Sequence, residues 1–229
     1  LDDDGLAMYF PLADGSRSQG SDTLTAHLLT LSHFMRQTDP RFTLPPAEQA
    51  HMQQALIAFV TGKLQRTFWS PQQDMTARKL SAIAALALDG KAAPALLDSL
   101  DIDPVRWPTH SVLDWLTVLE HVQVPGRAQR QQEAWQILRN RLAYQGTQVG
   151  FSTDAQDHWW WLMQGPDVNA ARLLLATIGQ AEWDAERPRL VTGLLARQKS
   201  GAWATTTANL WAGLALRQFS STYERDPVS

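Results

Sequence analysis

The chain has 229 residues, enough for one large domain, and its 44% hydrophobic and 19% charged residues indicate a globular rather than a disordered protein. A formal net charge of −3 gives no indication of nucleic-acid binding, and the absence of cysteine excludes disulfides, thiolate metal ligands and a cysteine nucleophile within the chain. No apolar run in the sequence approaches the roughly 20 residues that a membrane-spanning helix needs.

Hydrophobic periodicity predicts helices along nearly the whole chain. Pro46 near a helix start, and Gly90 and Gly146 after helix ends, fit the usual asymmetry of helix termini. The stretch "GTQVGFST" is predicted to form at most a short extended piece or hairpin. The nine predicted helices are Ser21–Arg36, Pro46–Gln65, Met75–Leu88, Ala93–Leu100, Thr109–Val122, Arg127–Tyr144, Asp167–Ile178, Ala185–Gln198 and Ala204–Phe219.

These helices are of two kinds, which alternate along the chain. The helices containing "LSAIAALAL", "AARLLLATI" and "ANLWAGLAL" are apolar on nearly every side, so we expect them to be buried on every side. The helices Pro46–Gln65 and Arg127–Tyr144 each carry one apolar stripe and a polar face. Inner and outer helices in alternation predict an all-α fold of helical hairpins in two layers, the α/α toroid. A right-handed helical solenoid is the alternative.

Nine helices do not close a ring of six hairpins. We therefore expect residues 1–229 to form a single toroid domain that is incomplete on its N-terminal side, with the remainder before Leu1. Ten tryptophans are many for one domain, and they indicate either a thick layered core or an aromatic-lined groove.

The acidic run Asp2, Asp3 and Asp4 is the first candidate for chemistry, because paired carboxylates can serve as acid and base. Its position at the end of the chain is more typical of a solvated acidic stretch. The histidines form no His-x-x-x-His pair, and no nucleophile elbow, phosphate-binding loop or dinucleotide fingerprint occurs. The sequence therefore predicts no catalytic, cofactor-binding or metal-ligating residue, and no enzyme. The six histidines are His27, His33, His51, His110, His121 and His158.

Three consecutive tryptophans, Trp159 to Trp161, are the best candidate for a surface feature. Consecutive residues cannot all face one way, so at least one indole should be exposed or lie at an edge. Exposed indoles mark interfaces or sugar platforms. The alternative is that these side chains close one end of the ring against neighbouring loops.

Two pairs of segments carry a family resemblance. "DDDGLAMYFP" followed by "GSDTLTAHLLTLSHFM" resembles the thioester domains of alpha-macroglobulins and complement proteins. "DVNAARLLLATI" and "GAWATTTANLWAGLALRQF" are similar to an inner helix and to the Gly-x-aromatic-x-Thr-Thr helix of the same family. The resemblance covers most of the chain in order and is strongest to bacterial forms.

The resemblance implies an α/α toroid within a periplasmic, envelope-associated protein that entraps proteases by conformational change. The Cys-x-Glu-Gln thioester motif of reactive members would lie before Leu1, so thioester chemistry is not expected within this chain. A histidine that some members place before the second inner helix has no counterpart in residues 63–74. The implied partners are neighbouring domains of the same parent chain and, through the whole protein, target proteases. No cofactor, no nucleic acid and no transmembrane segment are expected.

The sequence leaves two rival interpretations open. An α/α-toroid enzyme acting on glycans or isoprenoids would place Asp2 to Asp4 and the tryptophan-rich loops around a central cavity. A helical-repeat scaffold for peptides would form an open superhelix instead.

Overall fold

A computed structural model describes residues 1–10 and 19–224 of the chain. The protein is mostly helical, and its described strands form only one two-stranded sheet, which confirms the all-α class. The eight described α-helices are α1 (Asp22–Arg36), α2 (Pro46–Val60), α3 (Met75–Leu88), α4 (Thr109–His121), α5 (Arg127–Asn140), α6 (Pro166–Thr177), α7 (Arg187–Ala196) and α8 (Thr206–Tyr223). The strands are β1 (Leu142–Gln145) and β2 (Gln148–Phe151).

The backbone divides into two compact units. The first comprises Leu1–Trp107 and Asp114–Ala134, and the second comprises Pro108–Leu113 and the described residues from Trp135 onward. The prediction of a single domain over residues 1–229 stays a prediction beside this division. No helix within residues 1–10 and 19–224 has the length and apolar character needed to cross a membrane.

Helices α1, α2 and α3 form the body of the first unit. The hydroxyl of Ser21 accepts a hydrogen bond from the N–H of Leu24 at 3.1 Å and so caps α1, which begins one residue after the predicted start. Helix α3 is buried along most of its length, as its apolar sequence predicts. Gly90, with a φ of 67°, ends α3 as expected.

Helices α6 and α8 form the most extensive helix pair of the second unit. Buried alanines, including Ala171 and Ala212, allow this close approach. Helix α7 packs against β2, and a Cβ atom placed on Gly193 would lie 2.1 Å from the carbonyl oxygen of Val149. Only glycine at this position therefore permits the observed contact between helix and strand.

Several sequence predictions are corrected. The predicted helix Arg127–Tyr144 ends at Asn140, because residues 142–151 form an antiparallel hairpin in which Gln145 pairs with Gln148. Gly146, with a φ of 60°, lies in the hairpin turn rather than after a helix.

Three helices also differ from their predicted form. Helix α2 ends at Val60 rather than Gln65, and Gly62 follows with a φ of 77°. The predicted helix Ala93–Leu100 is a 3₁₀ helix over Pro94–Ser99. Helix α8 buries one stripe instead of its whole circumference: Ala208, Trp211, Ala212 and Ala215.

Candidate functional site

The acidic run at the start of the chain is a structural anchor. Asp2 Oδ1 accepts hydrogen bonds from the backbone N–H groups of Leu6 (2.8 Å) and Asp4 (3.1 Å). Asp2 Oδ2 accepts from the N–H of Gly20 and from the buried guanidinium of Arg66, both at 2.8 Å, and Arg66 also donates to Asp4. Burial opposes ionisation of Asp2, but these hydrogen bonds outweigh it and lower its pKa. The Asp2 carboxylate therefore holds the chain in place.

Two segments that carry the family resemblance lie against each other through this anchor. Ala7 forms an antiparallel bridge with Ser21, and its N–H donates to the Thr25 hydroxyl at 2.8 Å. The next turn of the second segment contains Asp22, whose carboxylate receives two hydrogen bonds, of 2.6 and 3.0 Å, from Arg78 of α3. Pro11, the last residue of the first segment, lies outside the described part of the chain.

The histidines are scattered. His33 contacts Asp89 at 3.0 Å, His27 is half-buried, and His110 is completely buried. Burial and the charge of Arg172 lower the pKa of His110 to about 3, so this imidazole is neutral near pH 7. Among residues 1–10 and 19–224, no group of three or more His, Cys, Asp or Glu side chains could hold a metal ion.

The three consecutive tryptophans differ in how exposed their side chains are. Trp160 is 67% exposed, whereas Trp159 and Trp161 are half-buried. The Trp159 ring packs against His110 at 5.2 Å and against Trp161 at 5.1 Å between centroids. The expectation that at least one indole is exposed is therefore confirmed.

Trp160 belongs to the wall of a pocket of about 620 Å³ in the second unit. Its lining comes from the loop before α6, the first turn of α6, the end of α7 and the first turn of α8. These residues are Asp154, Ala155, His158, Trp160, Met163, Gln164, Gly165, Pro166, Asp167, Val168, Arg197, Ala204, Thr205, Thr206, Thr207 and Ala208. The pocket combines small apolar groups with polar side chains, as ligand sites usually do.

The charged groups of this pocket are two carboxylates, of Asp154 and Asp167, and one guanidinium, of Arg197, so one negative charge is left over. Arg197 donates to Asp154 and, at 3.3 Å, to Asp167. The second oxygen of Asp167 accepts from the N–H of Ala204 at 3.3 Å. Asp154 Oδ1 and Gln164 Oε1 receive no hydrogen bond from any described residue, so the wall holds two acceptors without donors.

Two helix starts contribute donors to the same pocket. Helix α6 begins at Pro166 with no side chain capping it, and α8 begins at Thr206 after Thr205, whose hydroxyl accepts from the N–H of Ala208 at 3.0 Å. First-turn N–H groups of a helix have no partner within the helix, and they carry partial positive charge. The pocket therefore offers donors and acceptors side by side.

The turn leading into α8 is fixed by one side chain. The Asn209 amide accepts from the Trp203 N–H at 3.1 Å and donates to the Trp203 carbonyl at 2.9 Å and to the Thr205 carbonyl at 2.7 Å. The Trp203 indole N–H donates to the Leu194 carbonyl at 2.9 Å. Trp203, Thr205 and Asn209 belong to the "GAWATTTANLW" segment, so that segment fixes one side of the pocket.

Sequence reasoning missed the polar part of this pocket. Asp154 and Asp167 lie 43 and 30 positions from Arg197, and no spacing in the sequence connects them. The sequence had indicated a surface feature at the run Trp159 to Trp161, of which Trp160 lines the pocket. The segment "GAWATTTANLW", which also contributes to the lining, had been noted for the family resemblance and not as a site.

No protein-family model, no curated protein and no solved structure matches the chain. Fold and site define a mostly helical protein whose second unit has a pocket lined by both apolar and charged side chains. The resemblance to alpha-macroglobulins rests on the sequence motifs alone and stays a prediction.

Proposed function

We propose that this chain is a non-catalytic helical domain of a bacterial alpha-macroglobulin-like protease inhibitor, with the α/α-toroid architecture and periplasmic location of that family. The observation that supports it is the mutual locking of the segments that carry the resemblance. Asp2 joins the first segment to Gly20 at 2.8 Å, and Ala7 joins it to Thr25. Hydrogen bonds that join these segments inside the domain are consistent with a structural role for the motif residues.

The second pair of motif segments is connected in the same way. Asp167, in the "DVNAARLLLATI" segment, accepts from the N–H of Ala204 in the "GAWATTTANLW" segment. Helices α6 and α8 of these segments pack along their small residues. Each pair of motif segments thus stabilises the unit in which it lies, as we expect of a domain that packs within a larger parent protein.

The rival, an α/α-toroid enzyme acting on glycans or isoprenoids, relies on Asp2 to Asp4 as acid and base. Asp2 and Asp4 both receive hydrogen bonds from Arg66, and Asp2 accepts three backbone N–H groups besides. An acid catalyst needs a carboxyl group that is kept from ionising, and a guanidinium partner does the opposite. The rival has no comparable support.

The experiment uses the full-length parent protein and an active protease. Entrapment predicts a compaction on native electrophoresis and small-angle scattering after cleavage, with loss of activity on a large protein substrate and retention of activity on a small peptide substrate. The same protease with its nucleophile blocked is the control and should change nothing. If cleavage produces no conformational change, the proposal fails.

A further inference from the structure

The pocket of the second unit has a flat apolar platform at its wall. Trp160 exposes 67% of its surface, and Trp161 supports it edge-on at 5.9 Å between ring centroids. An indole held by its neighbour can contact a ligand at low cost in conformational entropy. Single exposed aromatic side chains are common on protein surfaces, and what distinguishes Trp160 is that it lines a pocket.

The polar wall opposes a strongly charged ligand of either sign. Asp154 and Asp167 disfavour an anion, although Arg197 lies between them. The starts of α6 and α8 place partial positive charge at the same pocket and disfavour a cation. The balance of these charges favours a ligand without net charge.

The same wall mixes hydrogen-bond donors with acceptors. Asp154 Oδ1 and Gln164 Oε1 are buried atoms, so the acceptors that a ligand can reach are the hydroxyl oxygens of Thr206 and Thr207. The first-turn N–H groups of both helices and the hydroxyls of Thr206 and Thr207 supply donors. A hydroxyl group donates one hydrogen bond and accepts others, so a ligand rich in hydroxyls can meet both kinds of group at once.

We propose that this pocket binds a neutral saccharide of one or two sugar rings. The C–H face of a ring stacks on Trp160, and the hydroxyls bond to the threonine hydroxyls and the helix-start N–H groups of the same pocket. The volume of about 620 Å³ lies within the usual range for small-ligand pockets. This inference is independent of the proposed inhibitor function, since it concerns one unit of the chain alone.

A peptide is the less suitable occupant. Extended peptides usually add to the edge of a sheet or lie along an open groove. None of the residues lining this pocket belongs to β1 or β2. Peptide binding is therefore treated as an outcome that would overturn the proposal.

The test titrates the 229-residue chain with maltose, cellobiose and N,N′-diacetylchitobiose by isothermal calorimetry. At least one disaccharide should bind, and Trp160→Ala should weaken it by roughly tenfold. Trp69→Ala is the matched control, because Trp69 is also exposed, at 73%, but belongs to the first unit; its affinity should be unchanged. Thr206→Val should weaken the same sugar more mildly, and circular dichroism should show that all variants fold.

Three results would overturn the proposal. The first is the absence of binding by every disaccharide. The second is an equal loss of affinity in the Trp160 and Trp69 variants. The third is Trp160-dependent binding of arginine amide, inorganic phosphate or a neutral peptide mixture that exceeds the binding of all three sugars.

Discussion

Replacing Asp2 by alanine removes four hydrogen bonds at once. The N–H groups of Leu6 and Gly20 lose their acceptor in a buried setting, whereas the N–H of Asp4 is exposed and regains water. A buried donor left unpaired costs about 1–3 kcal/mol, and Arg66 keeps Asp4 and the Gly20 carbonyl as partners. We therefore expect Asp2→Ala to lower the free energy of unfolding by about 3–5 kcal/mol.

Asp3 offers the matched control, because it is the adjacent carboxylate and is exposed. Asp3→Ala changes the net charge by the same amount and should alter stability by about 0.5 kcal/mol or less. Urea unfolding measures both variants. Hydrogen exchange by mass spectrometry should show faster exchange in residues 2–7 and 20–25 of the Asp2 variant and no change in α6 to α8.

The pH dependence of stability is a second test of the hydrogen bonds that Asp2 accepts. The pKa of Asp2 is lowered on folding below its usual value of 3.8, so its stabilising contribution is present above that value and is lost as pH falls through the lower, folded pKa. The stability difference between wild type and Asp2→Ala should therefore shrink below about pH 4. The reasoning is refuted if the Asp2 and Asp3 variants have equal stability at neutral pH.

Two further predictions concern the second unit. Gly193→Ala should destabilise the chain by about 2–4 kcal/mol in urea unfolding, because its Cβ would lie 2.1 Å from the Val149 carbonyl oxygen. His110 has a folded pKa of about 3 against a usual value of 6.5, so the unfolded state takes up the proton first and stability falls as pH decreases between these values. This loss should reach about 1.4 kcal/mol per pH unit near pH 5, and His110→Leu should remove it in pH-dependent unfolding.

Each of these two variants has a matched control at a second residue of the same type. Gly213→Ala, on an exposed face of α8 with no atom within 4 Å of the added Cβ, should stabilise by about 0.5–1 kcal/mol. His121 is exposed, and His121→Leu should leave the pH slope unchanged. Equal effects of the two glycine variants would contradict the close packing of α7 on β2. A wild-type pH slope retained in His110→Leu would contradict the burial argument.

Capping residues and hydrophobic periodicity predicted those helix ends that depend on residues close in sequence. The start of α1 follows from the Ser21 cap, and α3 was predicted with its observed bounds. The end of α5 was wrong because Gly146 is ambiguous: a glycine with positive φ serves equally after a helix and in a hairpin turn. Only the pairing of β1 with β2, a contact beyond the reach of periodicity, distinguishes the two.

The candidate site was less predictable because it depends on distant contacts. Trp160 could be singled out, since three consecutive indoles cannot all be buried on one face. Asp154, Gln164 and Arg197 carry no signal of their own, because their role comes from packing of the loop before α6 against the ends of α7 and α8. Sequence patterns therefore indicated one wall of the pocket and not the other.

The arginine partners of the aspartates bear on catalysis as well as on stability. The acidic run at the start of the chain looked like paired catalytic carboxylates, yet Asp2 and Asp4 converge on Arg66. The pocket repeats the arrangement with Asp154 and Asp167 on Arg197. Glycoside hydrolysis needs one carboxyl group that is kept protonated and a second that acts as base or nucleophile. Both carboxylates of the pocket are engaged by the one guanidinium of Arg197, an arrangement that differs from the two separate carboxyl groups that such hydrolysis uses and that fits our proposal of a sugar held without being cleaved.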